Sequence, residues 1–259
     1  MDADRSLLAW KDGETLVVGG VEFLVTDDPN RYTRERSTAD RLVLVKPTRM
    51  VESLVDLLVE FRPKRIVELG IYSGGSVALI AQVADPDRLS AIELSSEPVA
   101  GLSQFIAANG LEEVVKTHYG LDQADVQAVR GAIDVDHGDQ ALDLVIDDAS
   151  HFYVETRTAF ELLFPRLRPG GLYVIEDWDW AHMPGPLWQH AGGYFHDRPA
   201  LTNLIVELSV LSSTADDLVR RVVVNRQTAI VERGDRPCSG PLRLEDLYRN
   251  RGLPFRPIL

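Results

Sequence analysis

A glycine-containing turn follows a short apolar stretch of the chain, and an acidic residue ends the next apolar stretch. In the run Arg65-Ile-Val-Glu-Leu-Gly-Ile-Tyr-Ser-Gly-Gly-Ser76, Gly70 and Gly74 allow the backbone to turn sharply and to approach a ligand closely. Glu93 closes the following strand, where its carboxylate can accept hydrogen bonds from two ribose hydroxyls. The pattern predicts a nucleotide-type cofactor site at the carboxyl edge of a parallel sheet.

The glycine spacing discriminates between cofactors. The pattern Glu-x-Gly-x-x-x-Gly differs from the Gly-x-Gly-x-x-Gly of dinucleotide enzymes, because it lacks the tight turn that holds a pyrophosphate. S-adenosylmethionine (SAM) carries no phosphate and needs no such turn. The spacing therefore favours SAM as the cofactor.

Carboxylates and a histidine follow two later strands. One strand ends in Asp147-Asp-Ala-Ser-His151, and the next ends in Glu176-Asp-Trp-Asp179. We expect these strand ends to lie close together, at the same sheet edge as the glycine turn. Mg²⁺ prefers oxygen ligands of this kind, whereas the alternative is that Asp and Ser cap the next helix. Three carboxylates with a histidine favour the metal site.

Strand geometry separates the two neighbouring aspartates. Successive strand residues point to opposite faces, so Asp147 and Asp148 do not both reach one cation easily. His151 lies in the turn beyond them, where a neutral imidazole can take a proton from a substrate hydroxyl. A surface histidine or a helix cap is the alternative. A divalent cation would stabilise the developing alkoxide, so the parts together predict methyl transfer to a hydroxyl.

The elements that position these residues alternate between strand and helix. Repeated units of this length require parallel strands, right-handed crossovers and a sheet with helices on both faces. Strands are predicted at 65–69, 89–93, 114–118, 142–147 and 171–176. Helices are predicted near 75–84, 97–109, 122–132 and 153–164.

The flanking segments complete the predicted fold. Residues 15–26 are typical of a hairpin that turns at Gly19-Gly20, while the polar residues 27–41 form a lid, a disordered stretch or a crystal-contact arm. After a helix near 199–212, strands at 218–224 and 228–231 form an antiparallel hairpin. We therefore predict an α/β, Rossmann-like class I methyltransferase with a mostly parallel seven-stranded sheet. Its domains would be an N-terminal hairpin with a possible lid, 1–45, and one core domain, 46–259.

Composition limits the classes of partner. The 259 residues are 45% hydrophobic, which is enough to bury a full core. A net charge of −13, from 40 acidic and 27 basic residues, argues against nucleic acid. The single Cys238 excludes an internal disulfide and a cysteine-based metal site. No apolar run approaches the roughly 20 residues of a membrane span, and the first residues lack signal-peptide order. We expect a cytoplasmic homo-oligomer with no membrane partner.

Three runs of the chain resemble the macrocin and mycinamicin sugar O-methyltransferases. They also resemble, more distantly, the cephalosporin-hydroxylase-like and rhamnosyl methyltransferase group. The runs are Val67-Glu-Leu-Gly-Ile-Tyr-Ser-Gly-Gly-Ser76, Ile146-Asp-Asp-Ala-Ser-His151 and Phe164-Pro-Arg-Leu-Arg-Pro-Gly-Gly-Leu-Tyr-Val-Ile-Glu-Asp177. The resemblance covers roughly residues 46–180 and implies a magnesium-dependent O-methyltransferase of secondary metabolism. Its acceptor would be a sugar or a similar hydroxylated small molecule.

The resemblance also implies roles for individual residues, with His151 as the general base. The implied metal ligands are Asp148, Glu176 and Asp177. The cofactor contacts would comprise Glu68, Gly70 and Ser76 at the methionine part, Glu93 at the ribose, Asp122 near the adenine, and also Tyr72, Gly74 and Asp147.

An aromatic loop after the fifth core strand is the candidate for acceptor contact. The run Trp188-Gln-His-Ala-Gly-Gly-Tyr-Phe-His196 offers polar and stacking groups, and its alternative is a packed connection rich in aromatic residues. The predicted substrate contacts are Trp178, His190, Tyr194 and His196.

Two other classes of protein stay open. One is an oxidoreductase or hydroxylase-type enzyme on the same scaffold, although the glycine spacing opposes a dinucleotide and no two-histidine, one-carboxylate iron set is evident. The other is a non-catalytic SAM-binding scaffold. Carboxylates that are crowded without a cation repel one another, which argues against the scaffold.

Overall fold

The computed structural model describes residues 8–193, 195–238, 240, 242–247 and 249–259. The chain divides into two compact units, Met1–Leu121 and Asp122–Leu259. The predicted boundary at residue 45 stays a prediction. No helix among the described residues is long and apolar enough to cross a bilayer.

The first unit carries a small sheet followed by three helix–strand repeats. Strands β1 to β4 form the small sheet in chain order, and its hairpin at Gly19-Gly20 confirms the prediction. The elements are β1 (Leu8–Trp10), β2 (Thr15–Val18), β3 (Val21–Val25), α1 (Pro29–Tyr32), β4 (Arg41–Leu44), α2 (Thr48–Phe61), β5 (Arg65–Leu69), α3 (Gly75–Ala84), β6 (Arg88–Glu93), α4 (Ala100–Ala108) and β7 (Val115–Tyr119).

Parallel pairing in the first unit places successive strand ends at one edge. Strand β5 is buried from Ile66 to Leu69, as expected of a strand covered on both faces. In register, Leu69 of β5 faces Ile92 of β6, and Glu93 of β6 faces Tyr119 of β7. The turn that follows β5 therefore begins next to the Glu93 end of β6.

The second unit continues with two parallel strands and ends with an antiparallel hairpin. Asp147 of β8 pairs with Ile175 of β9, so the two strands end side by side. Strand β11 runs antiparallel to both β9 and β10. The elements are α5 (Val126–His137), β8 (Leu142–Asp147), α6 (Tyr153–Leu163), β9 (Leu167–Glu176), α7 (Pro186–Gln189), α8 (Thr202–Thr214), β10 (Val219–Val224) and β11 (Thr228–Arg233).

The seven strands β5 to β11 belong to one sheet, mostly parallel and finished by the antiparallel hairpin, which confirms the predicted architecture. Several boundaries differ from the prediction by a few residues, and two of these differences have a local cause. Helix α5 begins at Val126 rather than 122, because the Asp125 side chain caps the N–H groups of Gln127 and Ala128. Strand β9 begins at Leu167 rather than 171, because a register shift against β8 accommodates the intervening Pro-Gly-Gly.

Candidate cofactor turn and metal centre

The glycine turn, residues 70–75, has a backbone that most residue types do not adopt. Gly70 and Gly74 have φ values of +96° and +81°, and Tyr72, which is not a glycine, has φ +46°. A Cβ at Gly74 would also lie 2.8 Å from the Cβ of Leu102. Both the dihedral angle and the packing therefore require glycine at position 74.

The carboxylate of Glu93 braces this turn. Its Oε2 accepts hydrogen bonds from the backbone N–H groups of Ile71, at 3.0 Å, and Tyr72, at 2.9 Å. Its Oε1 accepts one from the N–H of Ser95, at 2.9 Å. A carboxylate offers about four lone-pair sites, so Oε1 keeps capacity for a further donor. The arrangement leaves room for the predicted ribose contact, which stays a prediction.

The other predicted cofactor contacts lie in different settings. Glu68 in β5 and Ser76 in α3 are buried on either side of the glycine turn. Asp122 is exposed in the second unit, and its Oδ1 accepts the backbone N–H of Ala124 at 2.8 Å. The Asp122 carboxylate thus stabilises the start of its own loop, and its role near the adenine also stays a prediction.

Asp147 faces the interior of the second unit. It accepts hydrogen bonds from the Tyr173 hydroxyl, at 2.9 Å, and from the Gln123 amide, at 3.2 Å. Burial raises the pKa of Asp147 to about 7. The Gln123 carbonyl in turn accepts the N–H of Ser150 at 2.8 Å, which ties Asp147 to the turn after β8. Because both carboxylate oxygens are engaged inside the unit, this geometry favours support of the turn over contact with a cofactor.

Three side chains of the second unit form a candidate metal centre. One ligand atom from each of Asp148, His151 and Asp177 lies within 4.8 Å of the others, and all three residues are partly exposed. His151 Nε2 is 4.0 Å from Asp148 Oδ1. Within the described ranges this group does not include Glu176, which is buried at the end of β9. Glu176 is the last residue of β9, whereas Asp177 follows the strand with a left-handed backbone.

Two members of the centre have left-handed backbones. His151 has φ +57° and Asp177 has φ +53°, values that cost energy for residues other than glycine and are concentrated at functional sites. The backbone of Asp177 is held by Gln227, whose carbonyl accepts its N–H at 2.7 Å. The Gln227 amide also donates to Asp177 Oδ1 at 3.4 Å. The residue just before β11 thus fixes one candidate ligand.

Aromatic rings cover one side of the centre. The imidazole of His151 lies against Trp180, with ring centroids 4.1 Å apart. Trp180 packs on Trp188 at 5.0 Å, and Trp188 packs on Phe195 at 5.1 Å. Phe195 in turn packs on Phe152, the neighbour of His151 in the chain, with ring centroids 5.4 Å apart. The aromatic segment, residues 178–193 and 195–198, is therefore packed against the turn that carries the histidine.

The predicted acceptor contacts lie within or beside this segment. The Trp178 indole N–H donates to the carbonyl of Asn225 at 3.0 Å. His190 is exposed, and exposed His196 contacts Asp197 at 2.7 Å. Tyr194 lies outside the described residues. The geometry provides accessible polar groups, and the assignment of all four to acceptor binding stays a prediction.

Sequence reasoning missed Trp180 and Gln123. Trp180 follows the predicted ligands in the run Glu176-Asp-Trp-Asp-Trp180, so an aromatic residue next to an acidic cluster was an available signal. Gln123 had no local signal, because its contacts with Asp147 and Ser150 join segments far apart in the chain.

The residues present fit the predicted cofactor, SAM, and the predicted metal, Mg²⁺. In the first unit, a glycine turn is braced by a carboxylate with spare acceptor capacity. In the second, Asp148 and Asp177 offer the oxygen donors that Mg²⁺ prefers. Mg²⁺ binds imidazole less readily than oxygen, which is compatible with the predicted role of His151 as a base; that role stays a prediction.

The fold is that of the class I SAM-dependent methyltransferases. A solved structure with this fold, the MycE methyltransferase of the mycinamycin biosynthetic pathway in complex with Mg and SAH, aligns with a TM-score of 0.51 at 23% identity. That alignment covers 76% of this chain and 50% of MycE. Residues 67–178, which are less than half of this chain, match the family model described as "Methyltransferase domain".

Characterised relatives confirm the resemblance inferred from the three sequence runs. Mycinamicin VI 2''-O-methyltransferase of Micromonospora griseorubida is 41% identical over 83 residues, which are 29% of this chain and 20% of that protein. Demethylmacrocin O-methyltransferase of Streptomyces fradiae is 60% identical over 43 residues, which are 17% of this chain and 11% of that protein. The matched part thus spans a fifth or less of each relative's length.

Proposed function

We propose that this protein is a Mg²⁺-dependent, SAM-dependent O-methyltransferase that acts on a hydroxyl of a sugar or another secondary-metabolite acceptor. The observation that carries the proposal is the convergence of Asp148, His151 and Asp177 at the ends of two neighbouring strands. Two carboxylates and one imidazole, in reach of one another, are the parts that metal-assisted deprotonation of a hydroxyl requires.

The relatives support the choice of reaction and of acceptor class. The mycinamicin and demethylmacrocin enzymes are O-methyltransferases by name, and the solved MycE structure contains Mg and SAH. By analogy, we propose SAM as the methyl donor and Mg²⁺ as the metal of this chain.

Residues of the first unit would bind the methyl donor. The glycine turn offers a backbone surface free of side chains at Gly70 and Gly74, and Glu93 would accept hydrogen bonds from the ribose. Methyl transfer is an in-line displacement, so its rate depends mainly on how well the two reactants are positioned. A turn that is held rigidly therefore contributes directly to the reaction.

Residues of the second unit would prepare the nucleophile. Asp148 and Asp177 would hold Mg²⁺, and the resemblance adds Glu176 as a third oxygen ligand. When bound, the metal supplies Lewis acidity to the acceptor hydroxyl. His151 would accept the hydroxyl proton at its imidazole. The aromatic segment would exclude water from one side of the histidine and offer ring faces to the acceptor.

Binding measurements separate this proposal from a dinucleotide enzyme. We expect calorimetry to show saturable binding of SAM and of S-adenosylhomocysteine (SAH), and no comparable binding of NAD. Binding of NAD with no response to SAM would refute the proposal. Binding of SAM without methyl transfer to any of a panel of hydroxylated acceptors would favour a non-catalytic scaffold.

A further inference from the structure

The segment that precedes the glycine turn in the first unit is attached to that turn by three kinds of contact. The latch segment, residues 32–43, includes most of the polar stretch for which the sequence alone left several structures open. Val43 forms a parallel β-bridge with Gly74. The rings of Tyr32 and Tyr72 meet edge to face, with centroids 6.1 Å apart.

Ser37 makes the most specific of these contacts. Its hydroxyl donates to the carbonyl oxygen of Ser73 at 2.6 Å, and the hydroxyl oxygen of Ser37 accepts a hydrogen bond from the N–H of Val43 at 2.9 Å. A serine hydroxyl can both donate and accept, so one side chain joins the latch segment to the glycine turn. The bond reaches the turn between Tyr72 and Gly74, both of which have a positive φ.

The surrounding residues are adapted to this close approach. A Cβ at Gly101 of α4 would collide with the backbone of Ser37, and a Cβ at Gly75 would collide with the carbonyl of Val43. Glycine at both positions therefore lets the latch segment lie against the turn and against α4. Thr38 and Arg41 close the segment on itself through a backbone hydrogen bond of 2.9 Å.

The turn is thus held from two directions. Glu93 accepts hydrogen bonds from the N–H groups of Ile71 and Tyr72, and the Ser37 hydroxyl donates one to the carbonyl of Ser73. A left-handed backbone at Tyr72 is costly and persists only where its surroundings determine it. We propose that Ser37 is a positioning residue that holds the glycine turn in the shape that binds SAM, an inference that rests on the proposed function.

The test measures SAH binding by calorimetry on the full chain, with no need for the acceptor. We expect Ser37→Ala to weaken SAH binding about tenfold, as loss of a bridging hydrogen bond implies. Ser37→Thr, which keeps the hydroxyl, should bind within about twofold of the unsubstituted protein. The matched control is Ser53→Ala, because the Ser53 hydroxyl bonds only within its own helix, to the carbonyl of Arg49. The affinity of Ser53→Ala for SAH should equal that of the unsubstituted protein.

Further outcomes keep the inference separate from the proposed function. Unchanged Mg²⁺ affinity in Ser37→Ala would show that the effect is confined to the cofactor turn. Should Ser37→Ala fail to fold, Gly101→Ala tests the same contact from α4 and should also weaken SAH binding. Wild-type affinity in Ser37→Ala or Gly101→Ala would overturn the role of Ser37. If the unsubstituted protein binds no SAH, the proposed function fails and this inference fails with it.

Discussion

The ring of Trp180 lies against the imidazole of His151, with centroids 4.1 Å apart and planes inclined at 44°. The histidine is the candidate base, and its backbone has a left-handed conformation that few residues adopt. Trp180 is fixed in turn by Trp188 at 5.0 Å and by Phe195 at 6.0 Å. The direction of the imidazole therefore depends on packing by a segment about 30 residues further along the chain, which sequence spacing does not reveal.

Removing this ring should impair the chemical step more than substrate binding. We expect Trp180→Ala to lower kcat about tenfold to hundredfold, because a small displacement of a catalytic group has effects of that size, while KM for SAM changes little. Trp180→Phe should recover much of the loss. Steady-state kinetics would measure both constants. Trp188→Ala, which removes a ring packed on Trp180, is the matched control and should have a smaller effect on kcat.

Replacing the candidate metal ligands should abolish metal binding without affecting the cofactor. We expect Asp148→Asn and Asp177→Asn each to remove measurable Mg²⁺ binding and to lower turnover at least about hundredfold, since loss of Lewis acidity costs several kcal/mol of transition-state stabilisation. Calorimetry with Mg²⁺ and with SAH would separate the two effects. The exposed Asp197→Asn serves as control and should leave Mg²⁺ binding unchanged.

The same titration applied to Glu176→Gln tests the third predicted ligand. The resemblance implies that Glu176 binds the metal, whereas the structure buries it outside the group formed by Asp148, His151 and Asp177. We expect weaker Mg²⁺ binding in this variant. Unchanged affinity would restrict the carboxylate ligands to Asp148 and Asp177.

The glycine turn should not tolerate a side chain at Gly74. Its φ of +81° and its distance to Leu102 both oppose a Cβ, so Gly74→Ala should lose SAH binding and about 1–2 kcal/mol of the free energy of unfolding. Gly13→Ala is the control, because open space surrounds that position. Full SAH affinity in Gly74→Ala would show that the shape of the turn does not govern binding.

Loss of a buried ion pair in the second unit should lower the free energy of unfolding more than loss of an exposed ion pair. Glu207 is almost fully buried, accepts the Tyr153 hydroxyl at 3.0 Å and pairs with Arg157 at 3.3 Å. Arg157→Ala would leave that charge poorly compensated and should cost about 3–5 kcal/mol of the free energy of unfolding, measured by urea denaturation. The exposed Arg243→Ala should cost less than about 1 kcal/mol.

Local sequence predicted the elements because apolar runs, glycines and prolines act over a few residues. The strand at 65–69 agrees with β5, and the alternation rule separated Asp147 from Asp148 as the structure does. The start of α5 was missed because the choice among several acidic residues before it depends on which one caps the helix, here Asp125.

Contacts between distant segments account for the features of the site that the sequence did not predict. The attachment of Ser37 to the glycine turn, the bridge from Gln123 to Asp147 and the packing of Trp180 on His151 each join residues more than 20 positions apart. No periodicity or motif specifies such pairs, since they follow from how complete elements pack. The polar stretch before β4 showed no pattern for the same reason.

The proposed reaction depends most on a cation bound between Asp148 and Asp177 with His151 beside it. A crystal grown with SAH and soaked with Mn²⁺, whose anomalous scattering identifies it, tests this directly. We expect an anomalous peak at coordination distance from carboxylate oxygens of Asp148 and Asp177, with SAH on the glycine turn. A protein that binds SAH but shows no peak at these carboxylates, or shows the metal elsewhere, would contradict it.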